Sequence, residues 1–265
     1  MEFVPAGTRG VLFSKWDTRV ADYREFVNAA NRDMSGGISV LKVTKNDEGA
    51  NTASRELDES ASWSNPGFEQ SDAHPVVGVS MEDGRAFCEW LTDKERKAGL
   101  IPAEAAYRLP KDEEWSAAVG PRRFPWGDGW PPRGEVGKYA AALGARSAHG
   151  KQTHIAPGLE DGGARTSPVG TFKPNRWGLF DMGGNVWQWC DTEYKASMNT
   201  AAAVKANPAL KEEKASDGTP FEVVRGASWD DGLESHLRSA FRNGLPPIGR
   251  RDDTGFRCVL VISGG

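Results

Sequence analysis

The sequence predicts an α+β fold with unusually little regular secondary structure: two main helices packed on short antiparallel sheets, with long loops making up the rest. Three observations predict it. Only two stretches combine a helical apolar period with a starting cap, and the other apolar runs are of strand length. Glycine (31) and proline (16) are spread along all 265 residues instead of gathering in a linker. With no flexible divider, residues 1–265 read as a single domain.

From the N-terminus, FVPAG and VLFS read as two short strands with a glycine-containing turn between them. Asp17 and Thr18 then offer a cap to a helix whose inward face is Val20, Tyr23, Phe26, Val27 and Ala30. Asn31 to Asp72 is polar and rich in Ser and Asn, and reads as a long surface excursion. Ser80-Met81-Glu82-Asp83 is a capping-box pattern that opens a second helix burying Ala86, Phe87, Trp90 and Leu91. That helix ends near Lys97-Ala98, where Gly99 supplies the stop. From Trp126 onward the chain reads as irregular loops held on a few short strands, such as FEVVRGASW.

Charge and cysteine usage narrow the function. The net charge of −4 provides no basic field for nucleic acid, and no apolar run is long enough for a membrane span. Cys88, Cys190 and Cys258 are scattered, which fits reduced thiols better than a disulfide framework. Together with an N-terminus that lacks a signal-peptide pattern, this favours a cytoplasmic protein. Ten tryptophans fit a packing role, each indole N–H finding a backbone partner. No P-loop, dinucleotide fingerprint, nucleophile elbow or HExxH motif is present.

Several phrases occur together and in order: HPVVGVSMEDGRAFCEWL from His74, YRLPKDEEW from Tyr107, FPWGDGWP from Phe124, SPVGTFKPNRWGLFDMGGNVWQWC from Ser167, then RGASW and GFRCVL. In this order the chain resembles the sulfatase-modifying-factor family, whose name-giving member is the formylglycine-generating enzyme. The resemblance implies a C-type lectin-like fold of the formylglycine-generating-enzyme type. It does not by itself imply catalysis, because one scaffold can carry enzymes and non-enzymes.

The family's oxidase holds copper with two cysteines separated by four residues after an RGGSW-like phrase, soft thiolates suiting copper(I). At the matching positions this chain has Asp231 and His236, so no copper and no such oxidase activity are expected. Non-haem iron chemistry would need clustered histidines, whereas His74, His149, His154 and His236 read as turn and loop residues. Calcium is the ion the resemblance favours, in a structural site with side chains of Asp181 and Gln188 and carbonyls of Gly184 and Val186 as ligands. The alternative is that Asp181 and Gln188 tie the turn together by hydrogen bonds. A second family calcium site would fall near Asp161, with Ala141 in place of the expected asparagine.

The stretch from Arg225 to Arg257 resembles a subset of this family, the variable proteins of diversity-generating retroelements. Their frame is matched at Arg225, Gly226, Ser228, Trp229, Leu237-Arg238-Ser239, Arg242-Asn243, Pro246, Arg250 and Gly255-Phe256-Arg257. The resemblance implies that Trp229 and Phe256 pack inward and that Arg225 and Arg257 hydrogen-bond loop carbonyls. It also implies that the residues between display a ligand-binding face: Asp230, Asp231, Gly232, Glu234, Ser235, His236, Phe241, Asn243, Gly244, Leu245, Ile248, Arg251 and Asp253. An aromatic, aliphatics and both charge signs suit a protein or glycan ligand. The alternatives are an accessory interaction domain of a larger system, or an oxidase with non-standard metal ligands.

Overall fold

A computed structural model describes residues 1–30, 36–45, 51–132, 135–139, 146–147 and 165–262. Strand β1 (Phe3–Pro5) and strand β2 (Val11–Ser14) pair antiparallel, as their apolar runs predict. Helix α1 (Val20–Ala30) buries Val20, Tyr23 and Phe26; Val27 is half-buried and Ala30 is exposed. Its cap differs from the expectation. Asp22 reaches back to the Arg19 N–H (3.2 Å), while Asp17 is wholly buried and receives Nη2 of Arg257 (3.1 Å).

The polar excursion is not a loop. Strand β3 (Ile38–Lys45) and strand β4 (Asn51–Asp58) form an antiparallel hairpin in register from Ile38↔Asp58 to Lys45↔Asn51. Ile38 and Val40 alternate inward and cluster with Ala61, a small apolar stripe that the surrounding serines and charges conceal. Helix α2 (Met81–Lys97) has the capping box its sequence announces: Asp83 N–H donates to Ser80 Oγ (3.1 Å) and Ser80 N–H to Asp83 Oδ2 (2.9 Å). Gly99, at φ 68°, ends it.

Strand β5 (Ala105–Arg108) leads through Pro110 into helix α3 (Asp112–Val119), which the sequence reading did not anticipate. Glu114 accepts from the Lys111 N–H (2.8 Å), closing its first turn. Strand β6 (Arg146–Ser147) pairs parallel to β4. Strand β7 (Trp187–Glu193) is followed by helix α4 (Ala201–Ala206), and the chain ends on strands β8 (Glu222–Arg225), β9 (Asn243–Leu245), β10 (Thr254–Gly255) and β11 (Val259–Ile262). One sheet has the order β1-β2-β11-β5 and another β10-β7-β8-β9, so β11 near the C-terminus sits between two strands from the first half of the chain. Within this second sheet β10 runs parallel to β7; the other pairs are antiparallel.

The largest core cluster packs Tyr23, Phe26, Phe87 and Phe256 between the two long helices and the second sheet. Gly84 within α2 lets the Leu109 and Phe256 side chains approach; a Cβ there would meet them at 3.2 and 3.4 Å. Gly255 has the same role against backbone, because a Cβ would run into the Val76 carbonyl.

Two buried arginines join these layers, as the frame implied. Arg257, with no exposed surface, donates to carbonyl oxygens of Ser14 (3.2 Å), Phe180 (2.8 Å) and Asp181 (3.3 Å), and to Gln188 Oε1 (2.8 Å). Arg225 donates to the carbonyls of Phe241 (3.0 Å) and Ser239 (2.7 Å) and pairs with Asp112, its guanidinium 4.3 Å from the Trp115 ring centroid. Burial pulls its pKa down to about 10, against the opposing effect of Asp112.

Burial pushes the Asp17 carboxyl up to about 8, partly offset by Arg257 and reinforced by Asp181. Its Oδ2 has no partner and so is placed to carry the proton. A carboxyl whose folded pKa lies above its unfolded value stabilises the fold below that unfolded value and loses the contribution as pH rises through the folded pKa. Between about pH 6.5 and 8.5 the melting temperature is therefore expected to fall, each such carboxyl costing up to about 1.4 kcal/mol per pH unit while it stays protonated in the folded state only. Asp17→Asn, which keeps the Arg257 hydrogen bond, should flatten that slope. An unchanged slope in the variant would exclude Asp17 as the source.

Candidate functional site

The C-terminal segment starts from a sharp corner. Gly226 (φ 97°) and Ala227 (φ 63°) are both left-handed, and this turns Trp229 inward, where its indole N–H donates to the Asp252 carbonyl (3.2 Å). Ala227 is wholly buried in that conformation, so the departure from an RGGSW phrase places a Cβ where glycine is the usual choice. Ser228 then organises the next residues. Its N–H and Oγ both donate to Asp231 Oδ2 (3.0 and 2.9 Å), and Asp230 N–H donates to Ser228 Oγ (3.2 Å).

The other oxygen of Asp231 meets His236 Nδ1 at 3.0 Å. A carboxylate acceptor there fixes the hydrogen on Nδ1 and leaves the Nε2 lone pair available. The imidazole stacks on Phe241 (4.6 Å between centroids, 28° between planes), and Phe241 packs against Trp187 at 6.1 Å. The two positions matching the family's copper cysteines are thus in contact, but as a carboxylate–imidazole pair. All three cysteines are buried and free, with Cys88 and Cys258 sulfurs 3.4 Å apart, and burial raises the Cys88 and Cys190 thiols above their ordinary range. Burial of this kind disfavours the thiolate form.

The expected contact face is only partly displayed. Ile248 is 64% exposed, and Asp230, Asp231, Glu234, Ser235, His236, Asn243 and Arg251 are half-buried. Gly232, Phe241, Leu245 and Asp253 are buried and are not display positions. Phe241 and Leu245 belong to the main core, and Asp253 is enclosed by charge partners. Gly244 is half-buried but fixed, because a Cβ there would collide with the Tyr194 ring. Glu234 pairs with Arg123 and Arg238 at the rim.

Arg55 of β4, missed in the sequence, is the centre of this region. It binds Asp252 Oδ1 (2.6 Å), Asp230 Oδ2 (2.9 Å) and Asp253. Burial works against its charge, but Asp253, Asp230 and Asp252 together outweigh that and raise its pKa. Arg165 also reaches Asp252 (3.0 Å) while lying over the Trp229 ring at 5.1 Å, and Arg251 holds Asp253 (2.7 Å). Asp252 further accepts from the Leu41 N–H (3.0 Å), and Ser39 exchanges backbone bonds with Arg250 and Asp252. Burial pushes Asp230 up to about 6, with Arg55 opposing, whereas Arg251 and Arg55 overcome the burial of Asp253 and lower its pKa. The one signal in the sequence was the alternation of TASRELD, a strand pattern inside a polar stretch.

The calcium set does not fit as expected. Gln188 Oε1 already accepts from Trp115 Nε1 (2.8 Å) and Arg257 Nε (2.8 Å), and Gln188 Nε2 donates to the Asp181 carbonyl (2.7 Å). A saturated amide oxygen has no lone pair left for a cation. Asp181, left-handed at φ 53°, accepts from the Gly170 N–H (2.9 Å) through one oxygen while the other is buried without a partner, and burial raises its pKa. Asp181 and Gln188 therefore tie the turn together, and the guanidinium of Arg257 supplies the positive charge there. Gly184, whose N–H donates to the Gly226 carbonyl (2.8 Å), and Val186 complete the turn. Among the described residues no group of three or more His, Cys, Asp or Glu side chains converges as a metal site. Ala141, His149, His154 and Asp161 lie outside the described residues. His74 half-buries against Thr166 (2.8 Å) beside the turn at Pro75, and no described helix is long and apolar enough to cross a membrane.

With this geometry established, comparison with known proteins is informative. The family model for a sulfatase-modifying factor enzyme 1-like domain matches residues 9–262. The bovine protein named inactive C-alpha-formylglycine-generating enzyme 2 is 30% identical over 265 residues, covering 90% of this chain and 73% of that protein. The formylglycine-generating enzyme of Streptomyces coelicolor is 29% identical over 210 residues, covering 75% of this chain and 58% of that one. Among solved structures, Treponema denticola variable protein 1 superposes with a TM-score of 0.57 at 17% identity, covering 98% of this chain and 91% of that one. CarF superposes with a TM-score of 0.58 at 21% identity, covering 96% and 87%. At these identities the structural likeness establishes the fold, a C-type lectin-like fold of the formylglycine-generating-enzyme type.

Removing Arg55 would leave Asp252 and Asp253 buried with fewer partners. Arg55→Ala should therefore cost about 3 kcal/mol in urea unfolding and loosen the hairpin from the C-terminal segment, read as faster amide exchange at Ser39 and Leu41. A loss below about 1 kcal/mol would mean that Arg165 and Arg251 alone satisfy the carboxylates.

Proposed function

Since the chain belongs to the sulfatase-modifying factor enzyme 1-like family yet carries Asp231 and His236 where that family's oxidase holds copper, we propose that it is a non-catalytic ligand-binding member. The observation that carries this reading is the 3.0 Å Asp231–His236 pair. A carboxylate and an imidazole hydrogen-bonded to one another cannot form the linear dithiolate that copper(I) needs. The buried thiols support the same reading, because all three lie in the core clusters and none belongs to the 231–236 corner.

The contact face of this reading is the half-exposed set Asp230, Asp231, Glu234, Ser235, His236, Asn243 and Arg251, together with exposed Ile248. The set combines both charge signs, the Nε2 lone pair of His236 and an aliphatic anchor, a combination suited to a polar protein or glycan surface. It is smaller than the face read from the sequence, because Gly232, Phe241, Gly244, Leu245 and Asp253 serve the frame. The likeness of the Arg225–Arg257 frame to retroelement variable proteins supports a segment that changes while its pins stay fixed. Calcium is not part of the proposal.

Two measurements test it. Purified protein titrated with copper(I) against a chelating competitor should retain none, whereas Asp231→Cys with His236→Cys should gain copper(I) binding on the same scaffold. Retention of copper by the unaltered protein, or oxygen consumption with a cysteine-containing peptide, would overturn the non-catalytic reading. For the variable-segment reading, DNA near the coding region should hold a near-copy of the codons for 225–257 that differs chiefly at adenines. Those differences should fall on codons of the half-exposed set and spare Trp229, Phe241, Gly244 and Asp253. Lack of such a copy and of a reverse transcriptase would leave only an accessory interaction domain.

A further inference from the structure

One cleft of the molecule is lined by none of the contact candidates. It encloses about 610 Å³ between the C-terminal end of α3, the Arg176-Trp177 turn and the Ser239–Arg242 stretch. Its polar lining consists of Ser116, Arg122, Arg176, Trp177, Ser239 and Arg242, with three guanidinium groups and no carboxylate.

Two of these side chains have buried polar atoms without a partner: the indole N–H of Trp177 and the hydroxyl of Ser239, which is 7% exposed. Both atoms are closed off from solvent as they stand, and an unpaired buried donor is costly, so each gains from an acceptor met by a side-chain rotation toward the adjoining cleft. The arginines differ in what they have left to give. Arg242 is largely committed, to Asp112 (3.0 Å), Ser116 (3.1 Å) and the Ala240 carbonyl (2.6 Å), and chiefly lends charge. Because Arg225 also binds Asp112, two guanidinium groups face one carboxylate and the wall keeps a net positive charge. Arg122 is held only by an exposed pair with Asp128, and Arg176 lies over the Trp177 ring at 4.6 Å, with its hydrogens free of carboxylates among the described residues. The end of α3, which would repel an anion, is partly covered: the Ala118 carbonyl accepts from Asn175 Nδ2 (2.8 Å) and the Ser116 carbonyl from the Gly120 N–H (3.2 Å).

We propose that this cleft binds an oxyanion, gripped by Arg122 and Arg176 and received by the Trp177 N–H and the Ser239 hydroxyl. Planar guanidinium forks suit the paired oxygens of a phosphate, sulfate or carboxylate. The cleft is far larger than a free ion, so the anion is a group on a larger molecule whose remainder lies along Gly7 and Pro121. This site is independent of the contact face, and either can fail without the other.

The test is calorimetric titration of the intact protein with inorganic phosphate, sulfate and acetate, with chloride holding ionic strength constant. Saturable binding of at least one is expected, and the preferred ion separates a tetrahedral group from a carboxylate. Arg122→Ala and Arg176→Ala, both at exposed positions, should each weaken binding about tenfold or more, and Ser239→Ala by a smaller factor. Arg238→Ala, outside the cleft, should leave it unchanged. Absence of saturable binding above chloride would overturn the proposal. So would equal affinity in the Arg122→Ala, Arg176→Ala double variant, provided that variant melts as the parent does.

Discussion

Arg257 reaches three stretches of chain that no sheet joins: the end of β2, the turn at Phe180-Asp181, and Gln188 at the start of β7. Arg225 does the same for α3 and the Ser239–Phe241 loop. A fold with this much irregular backbone must find partners for carbonyl groups that no ladder satisfies, and a guanidinium supplies five donors in one rigid plane. Burying a cation is expensive, and the cost is met here by surrounding each with carbonyls and a single acidic side chain, Asp112 for Arg225 and Asp17 for Arg257. The tryptophans act in a similar way, with Trp115, Trp189 and Trp229 each giving an indole N–H to a buried acceptor. The frame therefore depends on side chains that are apolar in bulk and hydrogen-bonding at the tip, and it tolerates loops of many shapes between them.

The β3–β4 hairpin changes how the C-terminal segment should be understood. Asp252 and Asp253 were legible only as adjacent acids, and nothing in their own stretch shows that Arg55, nearly two hundred residues earlier, neutralises them. Three guanidinium groups and three carboxylates interlock there, and burial raises the pKa of Asp230 and Asp252 while lowered Asp253 holds its charge. The hairpin is thus a wall of the segment and not a surface ornament. Any change of charge at Asp230 or Arg251 acts on the stability of that wall as well as on what the surface presents to a partner.

What the sequence made legible follows from the range of each signal. The cap and stop of α2 are local, carried by Ser80, Asp83 and Gly99, and the structure has both. The ordered phrases identified the frame because Arg225, Trp229, Phe256 and Arg257 play roles that each need one residue type. Helix α3 escaped because eight residues give barely two turns in which to read a period. Asp17 looked like a cap because its neighbours fit one, and only the tertiary partner Arg257 reveals its other use. Phe241, Leu245 and Asp253 were placed on the surface because an irregular stretch has no period to separate inward from outward positions. Burial of Phe241 and Asp253 is decided by Trp187 and Arg55, both distant in sequence.

The exchange of a dithiolate for Asp231 and His236 has a consequence for folding as well as for chemistry. Two thiolates held side by side repel one another, and a bound cation offsets that repulsion. Asp231 instead has its charge met on both sides: Ser228 donates twice to one oxygen and His236 faces the other. The imidazole is clamped in turn by stacking on Phe241, whose own ring is fixed by Trp187. The corner thus closes on itself, with every polar contact supplied by the chain. Asp231 and His236 are thereby fixed from both ends, by Ser228 on one side and by the Phe241 ring on the other.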